Sequence, residues 1–183
     1  MITMDQLRAL GGKPHYMGLG CVKYVFKHNG QSCAYHFYSD KAEILVEDIH
    51  EHRFGFTSTV KKGKLKNYIY DVHGTDPEST LQVERGECTA GAERVVEIAN
   101  ANVIEICTFV TEPEQSYHLH QTTLHRIECV TPKVVTLIRR EPMIETRPRF
   151  ITDAAKPSVC AFSQPKPLKE CWDIIEYTLD DND

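Results

Sequence analysis

The chain has 183 residues, 41% of them hydrophobic, with 21 Lys and Arg against 26 Asp and Glu and a formal charge of −5. That length and apolar content fit one domain whose core needs no disulfide staples, and the acidic balance with scattered basic residues excludes a general nucleic-acid binder. Met1 to Leu10 has no basic segment leading an apolar run, and no stretch of about 18 uncharged apolar residues occurs, so the expectation is a soluble, cytoplasmic protein with no membrane partner.

The first element is a short helix over residues 3–10, where Thr3 can cap, Gln6 stands three residues later and Gly11-Gly12 ends the run. After Gly20 the pattern changes to short runs of Val, Ile, Tyr, Phe and Thr separated by Gly, Asn, Asp and Pro, which is strand chemistry. Residues 22–27 and 33–38 form a hairpin on Asn29-Gly30, a pair that accepts positive φ angles. Residues 43–60 alternate for much of their length, Lys61-Lys62-Gly63 turns the chain, and 65–72 returns. Further strands are expected at 80–88, 94–99, 103–110, 115–120, 124–130 and 134–139. The segment 141–167 holds Pro142, Pro148, Pro157, Pro165 and Pro167 and is expected to wrap as irregular chain, while 172–179 reads as one more alternating strand. The acidic end, 180–183, is expected to be a solvated tail. Such spacing predicts an all-β barrel or sandwich over residues 1–183, with its core at 20–140 and a wrap at 141–179.

Seven cysteines, Cys21, Cys33, Cys88, Cys107, Cys129, Cys160 and Cys171, are odd in number and include no CxxC pair, which is neither a zinc-ribbon nor a disulfide pattern. Cys107 and Cys129 sit in apolar strand-like runs and are expected to pack as small buried hydrophobes.

The histidines carry the functional signal. In a strand, alternate side chains share a face, so His50 and His52 project the same way and can reach one ion. The same face continues through Phe54, Phe56 and Ser58 as an apolar wall. A second cluster holds His118, His120 and His125, of which His118 and His120 share a face and His125 follows a turn at residues 121–123. Two clusters far apart in sequence can be brought to one metal by a closed sheet, and imidazole suits iron, zinc, copper and nickel. His15, His28 and His73 fall in polar surroundings and His36 reads as a satisfied core or edge residue. Glu47 and Asp48 flank the first pair as outer partners for its imidazoles, whereas Glu51 points away from it.

This arrangement resembles the cupin superfamily. Its first motif, HxH followed by an acid and a glycine, lies on His50-Glu51-His52, with Phe56 where the acid would be and Gly63 at the glycine. The second, PxGxxH, lies on residues 120–125 and keeps only the final histidine, His125. The resemblance implies a double-stranded β-helix, or jelly-roll, barrel with His50, His52 and His125 as metal ligands and no acidic ligand. Three-histidine cupins of that kind are typical of thiol dioxygenases, and the run from His50 to Leu65, followed by Tyr70-Asp71, is similar to plant cysteine oxidases and cysteamine dioxygenase. That implies a divalent metal, Fe(II) before Zn, Mn or Ni, and oxidation of a small-molecule thiol. The candidate substrate contacts are Arg53, Phe54, Phe56, Tyr68 and Arg126, and the candidate acid–base groups are Tyr117, His118 and His120. Arg53 falls on the strand face opposite His52. Two other readings stand beside this one: a cupin isomerase, lyase or hydrolase using the metal as Lewis acid, and a barrel that only binds or sequesters a small ligand. A homodimer through an edge strand is also expected.

Overall fold

A computed structural model describes residues 2–17, 20–41, 49–87, 93–155 and 166–180. Residues 43–48 with Glu47 and Asp48, the cysteines Cys88 and Cys160, Pro157 and Pro165, and the tail from 181 lie outside the described residues.

The expected capping box forms at the start of α1 (Met4–Ala9): Thr3 Oγ1 accepts from the Gln6 amide at 3.2 Å, and Gln6 Oε1 accepts from the Thr3 amide at 2.9 Å. At the other end the Tyr24 hydroxyl donates to the Leu7 carbonyl at 2.7 Å and accepts from the Gly12 amide at 2.8 Å. A Cβ on Gly12 would stand 2.2 Å from the Val25 carbonyl oxygen, so only glycine lets the chain pass here into the first sheet.

That sheet has six strands in the order β1 (Lys13–Tyr16), β2 (Cys21–His28), β3 (Gln31–Ser39), β12 (Lys133–Arg140), β5 (Phe56–Lys62) and β10 (Ser116–Leu119). The β2–β3 hairpin turns on Asn29 and Gly30 with φ of 50° and 80°, as the Asn-Gly pair predicts. One face buries Val22, Tyr24, Phe26, Phe37 and Val135 against Leu7 of α1 and Cys171, Ile174 and Ile175 of α2 (Leu168–Leu179). Here the sequence expectation of a strand at 172–179 is overturned. Cys171, Ile174, Ile175 and Thr178 are the buried residues of a helix, spaced three, four and seven apart, and Lys166–Glu170 and Lys169–Asp173 pair along its outside. The helix ends on two lysines from the sheet, Lys62 and Lys133, whose Nζ atoms donate to the Asp180 carbonyl at 2.8 and 3.1 Å. Cations at the carbonyl end of a helix also complement its dipole.

The second sheet has seven strands in the order β8 (Arg94–Ile98), β7 (Leu81–Gly86), β13 (Arg149–Asp153), β4 (Ile49–His50), β11 (Leu124–Cys129), β6 (Leu65–Thr75) and β9 (Ala101–Thr111). β8 and β9 are its two edges yet are joined across Ala99 and Asn100, so the sheet curls, enclosing Val83, Ala101, Leu124 and Ile151. β13 corrects the expectation of irregular chain over 141–167: past Pro148 the run Arg149–Asp153 contains no proline and pairs with both β4 and β7. Cys107 corrects another, being exposed, because it lies on the edge strand β9. Cys21, Cys33 and Cys171 are buried. The opposite face of the first sheet meets the second sheet in a lumen where Ala34, Phe56, Leu119 and Ile138 pack with Ile69. The fold is thus mostly β and barrel-like, with the C-terminal helix as an addition to the expected pattern. No described helix is long and apolar enough to cross a membrane.

Candidate metal centre

His50 is the last residue of β4 and stands directly opposite His125 of β11, with Phe150 of β13 on its other side. Beyond His50 the strand stops, but His52 returns to the same place: its amide donates to the Gln121 carbonyl at 3.3 Å, and the Glu51 amide donates to the Arg149 carbonyl at 2.9 Å. The turn expected at 121–123 closes with the Thr123 amide on the His120 carbonyl at 3.0 Å, which delivers His125 to the start of β11.

The three imidazoles form one group whose ligand atoms lie within 4.8 Å of one another. Ring centroids are 4.8 Å apart for His50 and His52, 4.9 Å for His50 and His125, and 5.0 Å for His52 and His125. The Nε2 atoms of His52 and His125 are 2.9 Å apart. Two imidazole nitrogens held about 2.0–2.1 Å from an ion and at a right angle are separated by about 2.9 Å, so these two already have the spacing of neighbouring ligands. His125 Nδ1 is buried without a hydrogen-bond partner, so this ring is held by packing rather than by an outer carboxylate.

The surroundings are aromatic. Phe54 stacks on His52 at 5.4 Å, Phe56 meets its edge at 5.0 Å, and Phe150 stacks on His50 at 6.4 Å. Burial pushes the His52 imidazole well below the usual histidine range, helped by His50 and His125, and does the same to His125, helped by His50. Neutral rings offer lone pairs, which is the state that ligates a metal. His36 is likewise pushed well below its usual range by burial and by Lys23 and Arg140.

These shifts have a sign. An unfolded chain protonates its histidines near pH 6.5, so the stability gained by burying them neutral is complete above about that value and is lost as pH falls toward the lower folded values. The melting temperature of metal-free protein is therefore expected to fall between about pH 6.5 and pH 5, with a shallower slope in His52→Gln. A flat melting profile across that window would contradict the burial of these rings.

Glu51 points away from the triad, as strand parity predicts, and does so to hold it. Its carboxylate is 5% exposed and accepts from the Arg149 side chain at Nε (2.9 Å) and Nη2 (2.6 Å) and from the Arg149 amide at 3.0 Å. The peptide between the two histidines is thereby pinned to β13.

The other candidates divide by face. Phe54 and Phe56 border the triad as expected, and Tyr117 packs on Phe56 at 6.4 Å on the lumen side. His118 turns outward toward Thr57 (3.4 Å) and the Glu141 carboxylate (3.8 Å), and His120 is exposed with Nδ1 2.9 Å from the Thr122 hydroxyl. Arg126 lies across the ring of Tyr68, whose hydroxyl donates to Glu128; both neighbour His125 and Ile69 in sequence and so project from the opposite face of the sheet. Arg53 is half exposed and faces Glu87 at 4.0 Å. Phe150, Arg149 and Arg140 were not expected at the site: each is supplied by a strand whose pairing is nonlocal.

No protein-family model and no curated protein matches the sequence. Among solved structures, one titled "Crystal Structure of FeII HppE" is similar over 66% of this chain and 50% of that chain, at 8% identity and a TM-score of 0.35. The match thus spans half the length of that protein.

Proposed function

We propose that this chain is a metal-dependent enzyme of cupin type, and specifically a non-haem iron dioxygenase acting on a small thiol or related metabolite. The observation that carries the reading is the donor set: His50, His52 and His125 converge, and no carboxylate joins their group among the described residues. Three neutral nitrogen donors favour a transition metal over calcium or magnesium. When bound, ferrous iron supplies a Lewis-acidic, redox-active centre with open positions for small ligands. The chain's own part is to bring the three rings together, to keep His52 and His125 neutral by burial, and to exclude water with Phe54, Phe56 and Phe150. Tyr117 is the candidate acid–base group that borders the lumen, and it takes precedence over the outward-facing His118 and His120.

Two measurements test the proposal. Purified protein is expected to carry close to one equivalent of iron after anaerobic loading, and to consume oxygen when given small thiols. Absence of metal removes the whole reading, whereas bound iron without thiol-dependent uptake removes the dioxygenase and leaves a metal protein.

A further inference from the structure

The face of the second sheet that carries His50 and His125 continues past them toward β8. Phe150 of β13 stands opposite His50 on one side and opposite Glu84 of β7 on the other, so its ring lies between the first histidine and the β7–β8 edge. From that edge Arg94, the first residue of β8, places its guanidinium carbon 4.0 Å from the Phe150 centroid. The same ring is stacked on the His50 imidazole, with planes 17° from parallel. Cation, phenyl ring and imidazole thus follow one another across the strands.

Neighbouring residues prepare this placement. Gly86 lies opposite Arg94, and a Cβ there would stand 2.6 Å from Arg94 Cγ, so the absent side chain gives the arginine stem its room. Glu84 brings a carboxylate oxygen to 3.6 Å from Nη1, while its other oxygen accepts from Gln82 Nε2 at 2.8 Å. Both side chains of this ion pair are largely buried, at 12% and 13% exposure. Yet 3.6 Å is too long for a hydrogen bond, and Nη1 is buried with no acceptor among the described residues. The two-pronged contact that Arg149 makes with Glu51 is therefore absent here. Arg94 covers the ring instead, where the negative face of the phenyl group stabilises a desolvated cation. His50 stands to gain from that. β4 is two residues long and ends at His50, so the direction of its ring depends on what the ring packs against.

We propose that Arg94 is a positioning residue for the metal centre: it holds Phe150 from the β8 side, and Phe150 in turn fixes the His50 imidazole in the orientation that meets His52 and His125. The inference rests on the reading of the three histidines as a metal site, whereas the orienting contact itself is present without metal.

The test measures zinc affinity by competitive titration, and the ring signals of the three histidines by NMR with and without zinc, in the full chain. Arg94→Met is expected to weaken zinc binding about 10-fold, the low end for losing a group that orients a ligand. It should also shift and broaden the His50 ring signals while those of His52 and His125 stay in place. Arg94→Lys keeps a cation for the ring and is expected to recover most of the affinity and the His50 signals. Arg94→Met leaves the Glu84 carboxylate buried alone, so Arg94→Met combined with Glu84→Gln, which removes both charges together, decides the question if the single variant does not fold. In a Phe150→Leu background the Arg94 substitution should have no further effect, because the ring through which it acts is gone. Wild-type affinity in a folded variant, equal movement of all three histidine rings, or an undiminished Arg94 effect in the Phe150→Leu background overturns the proposal. Zinc uptake without a selective change at His50 leaves the metal centre and overturns the positioning role. No zinc uptake by the wild type overturns the metal centre, while a selective His50 change in metal-free Arg94→Met still supports the orienting contact.

Discussion

Glu51→Ala is expected to lower stability by about 3 kcal/mol, the low end for removing one partner of a buried ion pair, because the Arg149 side chain retains 29% exposure and some access to water. For a chain of this length that corresponds to a fall in melting temperature of roughly 6–12 °C. The cause goes beyond one ion pair. Glu51 accepts both from the Arg149 side chain and from its backbone amide, and the Glu51 amide returns a bond to the Arg149 carbonyl, so two strands are tied at the peptide between His50 and His52. Metal affinity should fall with stability, by about the 10–100-fold that loss of an orienting partner costs. Thermal unfolding and a competitive metal titration check both. A variant with wild-type melting and wild-type affinity would show that the histidines are held by packing alone.

His52→Ala and His125→Ala are each expected to reduce metal affinity by more than about 100-fold, because each removes a donor rather than a supporting contact. The reduction has a convenient readout. An ion present at about 100 times its dissociation constant adds about 2.7 kcal/mol to the folded state, so wild-type protein should melt roughly 5–10 °C higher with metal than without. Both variants should show no such increment, and both must show its loss if the site is shared. Retention of the full increment in either variant would mean that His52 and His125, despite Nε2 atoms 2.9 Å apart, do not ligate the same ion.

How much of this was legible in the sequence depends on the range of the interaction concerned. The capping box of Thr3 and Gln6 and the Asn29-Gly30 turn are local chemistry and were read directly. The shared direction of His50 and His52 followed from strand parity, although the strand that justified it ends at His50 and backbone bonds to Gln121 and Arg149 complete the geometry. Convergence with His125 required the β4–β11 pairing, which spacing alone does not dictate. The helix α2 was misread because Trp172 to Leu179 also alternates loosely, and the better signal lay one residue earlier, at Cys171, which starts the apolar spacing completed by Ile174, Ile175 and Thr178. Arg139, Arg140, Arg147 and Arg149 lie close together in the sequence as a short basic cluster. In the fold it disperses, with Arg149 clamping Glu51 and Arg140 beside Phe54.

The direct opposition of His50 and His125 has a consequence for how the sheet finds its alignment. A slip of β11 by one residue would bring Arg126 opposite His50, and a slip by two would bring Ile127; neither supplies a nitrogen lone pair. An ion captured early would therefore reward only one alignment of two segments that lie far apart in the chain, acting as a proofreader of strand pairing as well as the chemical centre of the finished barrel.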